Sequence, residues 1–205
     1  MTLAPKIDLY NLQYEITQHE LQNLYKLAID NGYRAIGVLP NFVPMLKDIT
    51  MKRLPIISIV GLPDGKGDFD YWFKQAVQAI EDGADEIEWV LNYGDFDSTD
   101  KLIQNLRELT FYCHCKGVWT RLIIEIGAAI PIEGIIKITK DAGFKGIMTS
   151  TGMIEQVATV ENVTELKNKL PKNIEIKASG KIYNRSWAEK LVEAGADLIA
   201  TSRVI

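Results

Sequence analysis

One pattern recurs four times along the chain and constrains its fold more than any other feature. A helix-like stretch ends at a glycine, and four residues later an isoleucine sits inside a short apolar run. Gly32 leads to Ile36, Gly83 to Ile87, Gly143 to Ile147 and Gly195 to Ile199. Glycine takes the left-handed conformation that closes a helix, so each one marks a helix end that feeds a strand through a short loop. Between these units lie four more isoleucine-rich runs, at residues 7–10, 56–61, 121–127 and 174–180. Nearly continuous apolar runs are expected of parallel strands buried on both faces. The intervening stretches read as helices at residues 17 or 18 to 31, a short second helix within 41–52, and helices at 68–83, 98–116, 132–143, 159–170 and 184–195. Pro44 lies near the start of the second, where proline is tolerated, and Ser98 or Thr99 is the expected N-cap of the fourth.

Alternating strands and helices give a parallel sheet, and eight such units predict a (β/α)8 TIM barrel. No Gly-x-Gly-x-x-Gly follows the first strand, which counts against an open dinucleotide-binding sheet. The eighth strand is followed only by Val204 and Ile205, so the C-terminal eighth helix is missing or lies outside this chain. The length, 205 residues, fits a single barrel domain spanning residues 1–205.

Charge narrows the function classes. With 23 basic and 27 acidic residues, no stretch makes the basic stripe a nucleic-acid partner would require. The apolar runs are far shorter than the roughly 20 residues that cross a bilayer, and the first residues lack the apolar core of a signal peptide. A cytoplasmic protein with no membrane partner is expected. Cys113 and Cys115 flank His114, which invites a metal reading. Positions two apart on a helix do not share a face, and two further ligands at a usable spacing are absent. Neither a metal nor a cofactor is expected, and both thiols should be reduced.

Barrel chemistry sits at the C-terminal ends of the strands, and there Lys177 stands out. Strand alternation puts it with Glu175 on the face opposite Ile174 and Ile176. A lysine inside a barrel is costly unless paired, and one with a lowered pKa is the usual Schiff-base nucleophile. It is either that nucleophile, or a lysine snorkelling from the strand end or paired with a buried carboxylate. Glu88, sharing a face with Glu86, either shuttles protons beside Lys177 or makes an ion pair on the barrel floor. Glu125 and Asp8 carry the same two readings, with the structural one favoured. Three strand ends are rich in small and hydroxyl residues: Thr149-Ser150-Thr151-Gly152, Ala178-Ser179-Gly180-Lys181 and Ala200-Thr201-Ser202-Arg203. Barrels frequently bind phosphate after strands 7 and 8. Thr151, Gly152, Gly180 and Ser202 could present donors to an anion, with Lys181 and Arg203 adding charge.

These same segments resemble the deoxyribose-phosphate aldolase family, class I aldolases on a (β/α)8 barrel. The resemblance runs from Ile7 to Ser202 and is carried by Ile7-Asp8, Asp85-Glu86-Ile87-Glu88, Ile123-Ile124-Glu125, Thr149-Ser150-Thr151-Gly152, Lys177-Ala178-Ser179-Gly180 and Thr201-Ser202. It implies reversible cleavage of 2-deoxyribose 5-phosphate to glyceraldehyde 3-phosphate and acetaldehyde, and hence a small phosphorylated sugar or aldehyde as ligand. It also implies that Lys177 is the second family lysine, the one that lowers the first one's pKa, and that Glu88 stands where the family has its catalytic aspartate. The family's Schiff-base lysine immediately precedes Thr-Ser-Thr-Gly, and here that residue is Met148. Lys181 and Arg203 replace a glycine and a serine, Leu9 replaces a histidine, and Gly37-Val38-Leu39-Pro40 replaces Cys-Val-Asn-Pro. Methionine cannot form an imine. Either Lys177 substitutes as the Schiff-base residue with Glu88 as proton shuttle, or the barrel is catalytically silent and binds a phosphorylated ligand or a partner, or it runs some other reaction at the same anion site. An exposed apolar flank beside the first and seventh helices, where an eighth would pack, suggests a homodimer.

Overall fold

The computed structural model describes residues 2–92, 94, 99–126, 131–153 and 157–205. Eight parallel strands close into a barrel in chain order: β1 (Ile7–Tyr10), β2 (Ala35–Val38), β3 (Ile56–Val60), β4 (Glu86–Val90), β5 (Trp119–Ile123), β6 (Gly146–Met148), β7 (Glu175–Ala178) and β8 (Leu198–Thr201), with β8 paired back to β1. The connecting helices are α1 (Gln18–Asp30), α2 (Val43–Thr50), α3 (Phe69–Asp82), α4 (Thr99–Cys115), α5 (Ile132–Ala142), α6 (Val160–Lys169) and α7 (Arg185–Glu193). This is the (β/α)8 TIM barrel that the repeat predicts. Among the described residues no helix follows β8, and none is long and apolar enough to cross a membrane.

The four repeat glycines do what their spacing predicts, with a one-residue shift in two units. Gly83 and Gly143 cap α3 and α5 at φ 108° and 86°. In the other two units the caps are Asn31 and Ala194, and Gly32 and Gly195 follow them. The short second helix expected within residues 41–52 is α2, preceded by a 3-10 turn (Pro40–Phe42). It stops at Thr50 because Met51 and Lys52 both adopt left-handed backbone, φ 47° and 62°, which no α-helix can continue. Ser98, one of the two N-cap candidates for α4, and Gly127 at the end of the fifth apolar run lie outside the described residues.

Strand alternation sorts side chains onto two faces. Ile36, Ile87, Ile147 and Ile199 are all buried and point outward, under the helices. Their neighbours point into the barrel, where parallel register places Tyr10 beside Gly37, Ile59 beside Glu88, Glu88 beside Arg121, Arg121 beside Gly146, and Met148 beside Lys177. Two of these interior positions are glycines for reasons of space. A Cβ at Gly146 would lie 3.1 Å from Arg121 Cγ and 3.0 Å from the Glu175 carbonyl oxygen. A Cβ at Gly37 would lie 2.1 Å from the Tyr10 ring.

The room beside Arg121 is therefore reserved by its strand neighbour. Gly146→Val is expected to lower stability by about 1–3 kcal/mol through overpacking, measured by urea denaturation. An unchanged midpoint would show that Arg121 has slack to move.

Candidate functional site

The interior of the barrel holds a cluster of four carboxylates and three cations. Lys177 on β7 is fully buried, and its Nζ lies 2.5 Å from Asp8 Oδ2 and 2.5 Å from Glu88 Oε1. It donates hydrogen bonds to Glu88 and, at 2.9 Å, to the Tyr10 hydroxyl, and that hydroxyl donates to Glu88 at 3.0 Å. Nζ thus meets Glu88 and Tyr10 as hydrogen-bond acceptors and Asp8 as an ion-pair partner. One layer toward the strand N-termini, Arg34 bridges Asp8 and Glu86, and Arg121 bridges Glu86 and Glu175.

The electrostatics follow from this packing. Burial alone pushes the Glu86 carboxyl up, but the Arg34 hydrogen bond and the charges of Arg121, Lys177 and Arg34 outweigh it and hold the carboxyl at about 2. Burial works against the Arg34 and Arg121 cations, and the carboxylates around them overcome it, raising both. The Tyr10 phenol is raised well above its ordinary value, first by burial and then by the charges of Glu88 and Asp8, so it stays an O–H donor.

A separate pocket of about 180 Å³ opens at the C-terminal end of the strands. Thr151, Gly152, Gly180, Lys181 and Ser202 line it together with Tyr10 and Met148. Gly152 and Gly180 bring two loops into backbone contact, since a Cβ at Gly152 would sit 3.5 Å from Gly180 Cα. Met148 is nearly fully buried at the pocket base, beside Lys177 across the β6–β7 ladder. Lys177 and Glu88 are absent from the pocket wall, although they neighbour it. Arg203 turns aside, its guanidinium 4.3 Å from the centroid of the Tyr183 ring. A larger cavity of about 340 Å³ lies at the opposite, N-terminal end, walled by Lys47, Lys52 and Lys116 among others. In barrels that end carries stability rather than chemistry.

Glu125, at the end of β5, holds the loop after β6. Its carboxylate accepts hydrogen bonds from the Thr151 amide and, at 3.0 Å, from the Ser150 hydroxyl, which in turn accepts from the Gly152 amide at 3.1 Å. Glu125 itself has φ 39°, a strained conformation for a non-glycine residue. On α4, Cys113 is buried and Cys115 exposed, and burial pushes the Cys113 thiol up to about 12.

Full-length comparisons bear on this site. The sequence is 31% identical over 207 residues to the deoxyribose-phosphate aldolase of Thermococcus kodakarensis, covering 98% of this chain and 92% of that protein. It is 32% identical over 211 residues to that of Aciduliprofundum boonei, covering 99% and 94%. This chain belongs to the deoxyribose-phosphate aldolase family. No family model matches it. Among solved structures, the aldolase QR15 superposes with a TM-score of 0.89 at 29% identity, covering 98% of this chain and 91% of that one. The tetrameric deoxyribose phosphate aldolase of Aeropyrum pernix superposes with a TM-score of 0.91 at 24% identity, covering 98% and 86%, and speaks to the fold alone.

Within this aldolase-family barrel the structure brings Lys177, Glu88 and Asp8 together in one cluster and Thr151, Gly152, Gly180, Lys181 and Ser202 around one pocket. Sequence reasoning did not assign roles to Tyr10, Arg34 and Arg121. Arg121 carried a usable signal, a charged residue in phase with the interior of a buried strand. Arg34 carried none, because it precedes β2 and reaches inward only in three dimensions.

Acid should loosen this barrel through Glu86. Its folded value of about 2 lies below the ordinary 4.5, so its contribution to stability is present above about pH 4.5 and is lost as pH falls toward 2. The shift corresponds to about 3 kcal/mol. Urea unfolding from pH 7 to 2.5 is expected to show that loss, and Glu86→Gln to be less stable at pH 7 yet converge with the wild type near pH 2.5. Parallel curves across the range would remove Glu86 as the cause.

Proposed function

We propose that this barrel binds a small phosphorylated sugar or aldehyde at its mouth and does not perform the imine chemistry implied by the family resemblance. One observation carries the reading: the residue before Thr149-Ser150-Thr151-Gly152 is Met148, at the pocket base, while the neighbouring Lys177 is fully buried with its Nζ held by Asp8, Glu88 and Tyr10. An imine needs an amine lone pair free to attack a carbonyl and a route for that carbonyl to arrive. Met148 has no lone pair of that kind, and Lys177, buried among its partners and off the pocket wall, offers a carbonyl no route.

The pocket retains what an anion needs. Gly152 and Gly180 allow a phosphate to approach the backbone closely, Thr151 and Ser202 offer hydroxyls, and Lys181 supplies charge at the rim. Arg203 supports the same end from its place on the Tyr183 ring. The turn at Gly152 is held before any ligand arrives, by Glu125 and Ser150. Preorganised donors bind more tightly because little ordering remains to be done.

A second reading keeps aldolase chemistry with Lys177 as nucleophile and Glu88 as proton shuttle, and the 2.5 Å contact between them favours it. The two readings separate in one assay. With 2-deoxyribose 5-phosphate and borohydride, peptide mass mapping is expected to find no adduct on Lys177. An adduct there would overturn the ligand-binding reading and install the second. Inorganic phosphate is expected to bind by calorimetry, and Gly152→Asp to weaken it at least tenfold by placing a carboxylate against the anion.

A further inference from the structure

We propose that Tyr10 sets the depth of the pocket: its ring is a plug that divides the barrel interior into a sealed ion cluster and a shallow ligand pocket, so that the pocket takes the phosphate end of a small ligand and withholds Lys177 from any carbonyl. The inference rests on the ligand-binding reading and deepens it by naming what the pocket excludes and which residue excludes it.

Tyr10 touches both compartments. Its hydroxyl accepts from Lys177 Nζ at 2.9 Å and donates to Glu88 at 3.0 Å, and its ring centroid lies 5.6 Å from that Nζ. The same residue lines the ligand pocket beside Met148. Lys177 and Glu88, on the far side of the ring, are fully buried. Tyr10 can lie across the barrel only because its partner on β2 has no side chain. Tyr10 and Gly37 are register partners, and a Cβ at Gly37 would fall 2.1 Å from both Cδ1 and Cε1 of the ring. No L side chain fits there without displacing the ring, so the bulky residue at position 10 and the empty one at position 37 form a single device.

The plug is not required for charge balance at Lys177. Asp8 and Glu88 already face Nζ at 2.5 Å each, and the phenol, kept un-ionised by burial and by those carboxylates, adds bulk without adding charge. Removing the ring would leave the ion pairs in place and open a passage above them.

Reductive alkylation with acetaldehyde and cyanoborohydride at pH 9 tests this directly. The lysine nitrogen attacks the aldehyde carbon, water leaves, and hydride from the cyanoborohydride reduces the imine to a secondary amine, which peptide mass mapping reads residue by residue. In the wild type, exposed lysines such as Lys26 and Lys66 are expected to alkylate and Lys177 to stay below one-tenth of their level. Tyr10→Ala is expected to raise the Lys177 adduct at least tenfold, and Tyr10→Phe, which removes the hydrogen bond to Nζ but keeps the ring, to leave it at the wild-type level. A folded Tyr10→Ala protein with Lys177 still unmodified would overturn the plug, as would ready alkylation of Lys177 in the wild type. Met148→Lys, with Tyr10 left in place, decides the matter even if Tyr10→Ala does not fold. An adduct at position 148 without one at Lys177 supports the division into two compartments, and equal labelling of both refutes it. Acetaldehyde carries no phosphate, so these results stand apart from the ligand reading. That reading fails separately if calorimetry detects no binding of inorganic phosphate to the wild type.

Discussion

The ammonium of Lys177, buried at the centre of the barrel, forces much of the surrounding architecture. A charge taken out of water costs several kcal/mol unless its partners are close and their remaining hydrogen-bonding groups are met. Here two carboxylates and a phenol meet it directly, and Arg34 and Arg121 then satisfy the outward oxygens of those acids and of Glu86 and Glu175. Each charged residue exists in that position because another one does. Removing a single member leaves its partners buried and uncompensated, which is far more destabilising than exchanging the whole set for apolar residues. The cluster therefore behaves as a unit.

That unit also bears on which end of the barrel a ligand can reach. On the proposed reading Lys177, buried between Asp8 and Glu88, is a structural cation. The face that remains open to ligands lies one layer further out, among the ends of β6, β7 and β8, where Met148, Gly152, Gly180 and Ser202 meet. Small residues and hydroxyls there leave room for an anion near the backbone. On the proposed reading, the family's binding end persists while its nucleophile has gone, and Tyr10 with Gly37 keeps the remaining lysine out of reach. The loop geometry needed for binding is anchored from beneath by Glu125, whose strained backbone is compatible with a site that is held rather than relaxed.

Much of this was legible in the linear chain, for identifiable reasons. Helix-ending glycines and buried strands leave local marks, so Gly83 and Gly143 announced their caps and the isoleucines announced the sheet. Lys177 and Glu88 could be noticed because a charge in a buried run breaks an apolar pattern. Gly152, Gly180 and Ser202 could be grouped because barrel topology brings the last three strand ends together. Tyr10 could not be singled out this way, since an aromatic residue in a buried strand breaks no pattern. Its importance depends on a glycine 27 positions later and a lysine near the other end of the chain, all brought together by the closure of β1 with β2 and β8.

The sequence alone determined the alternation of strands and helices, the barrel, the family and the absence of a lysine at position 148, because each is written in residue identity or in a short local period. Tertiary structure decided which carboxylates hold Lys177, that both arginines reach into the cluster, and that a tyrosine ring stands between that cluster and the pocket. Those are matters of distance between strands remote in sequence, and such distances follow only from the register in which the barrel closes.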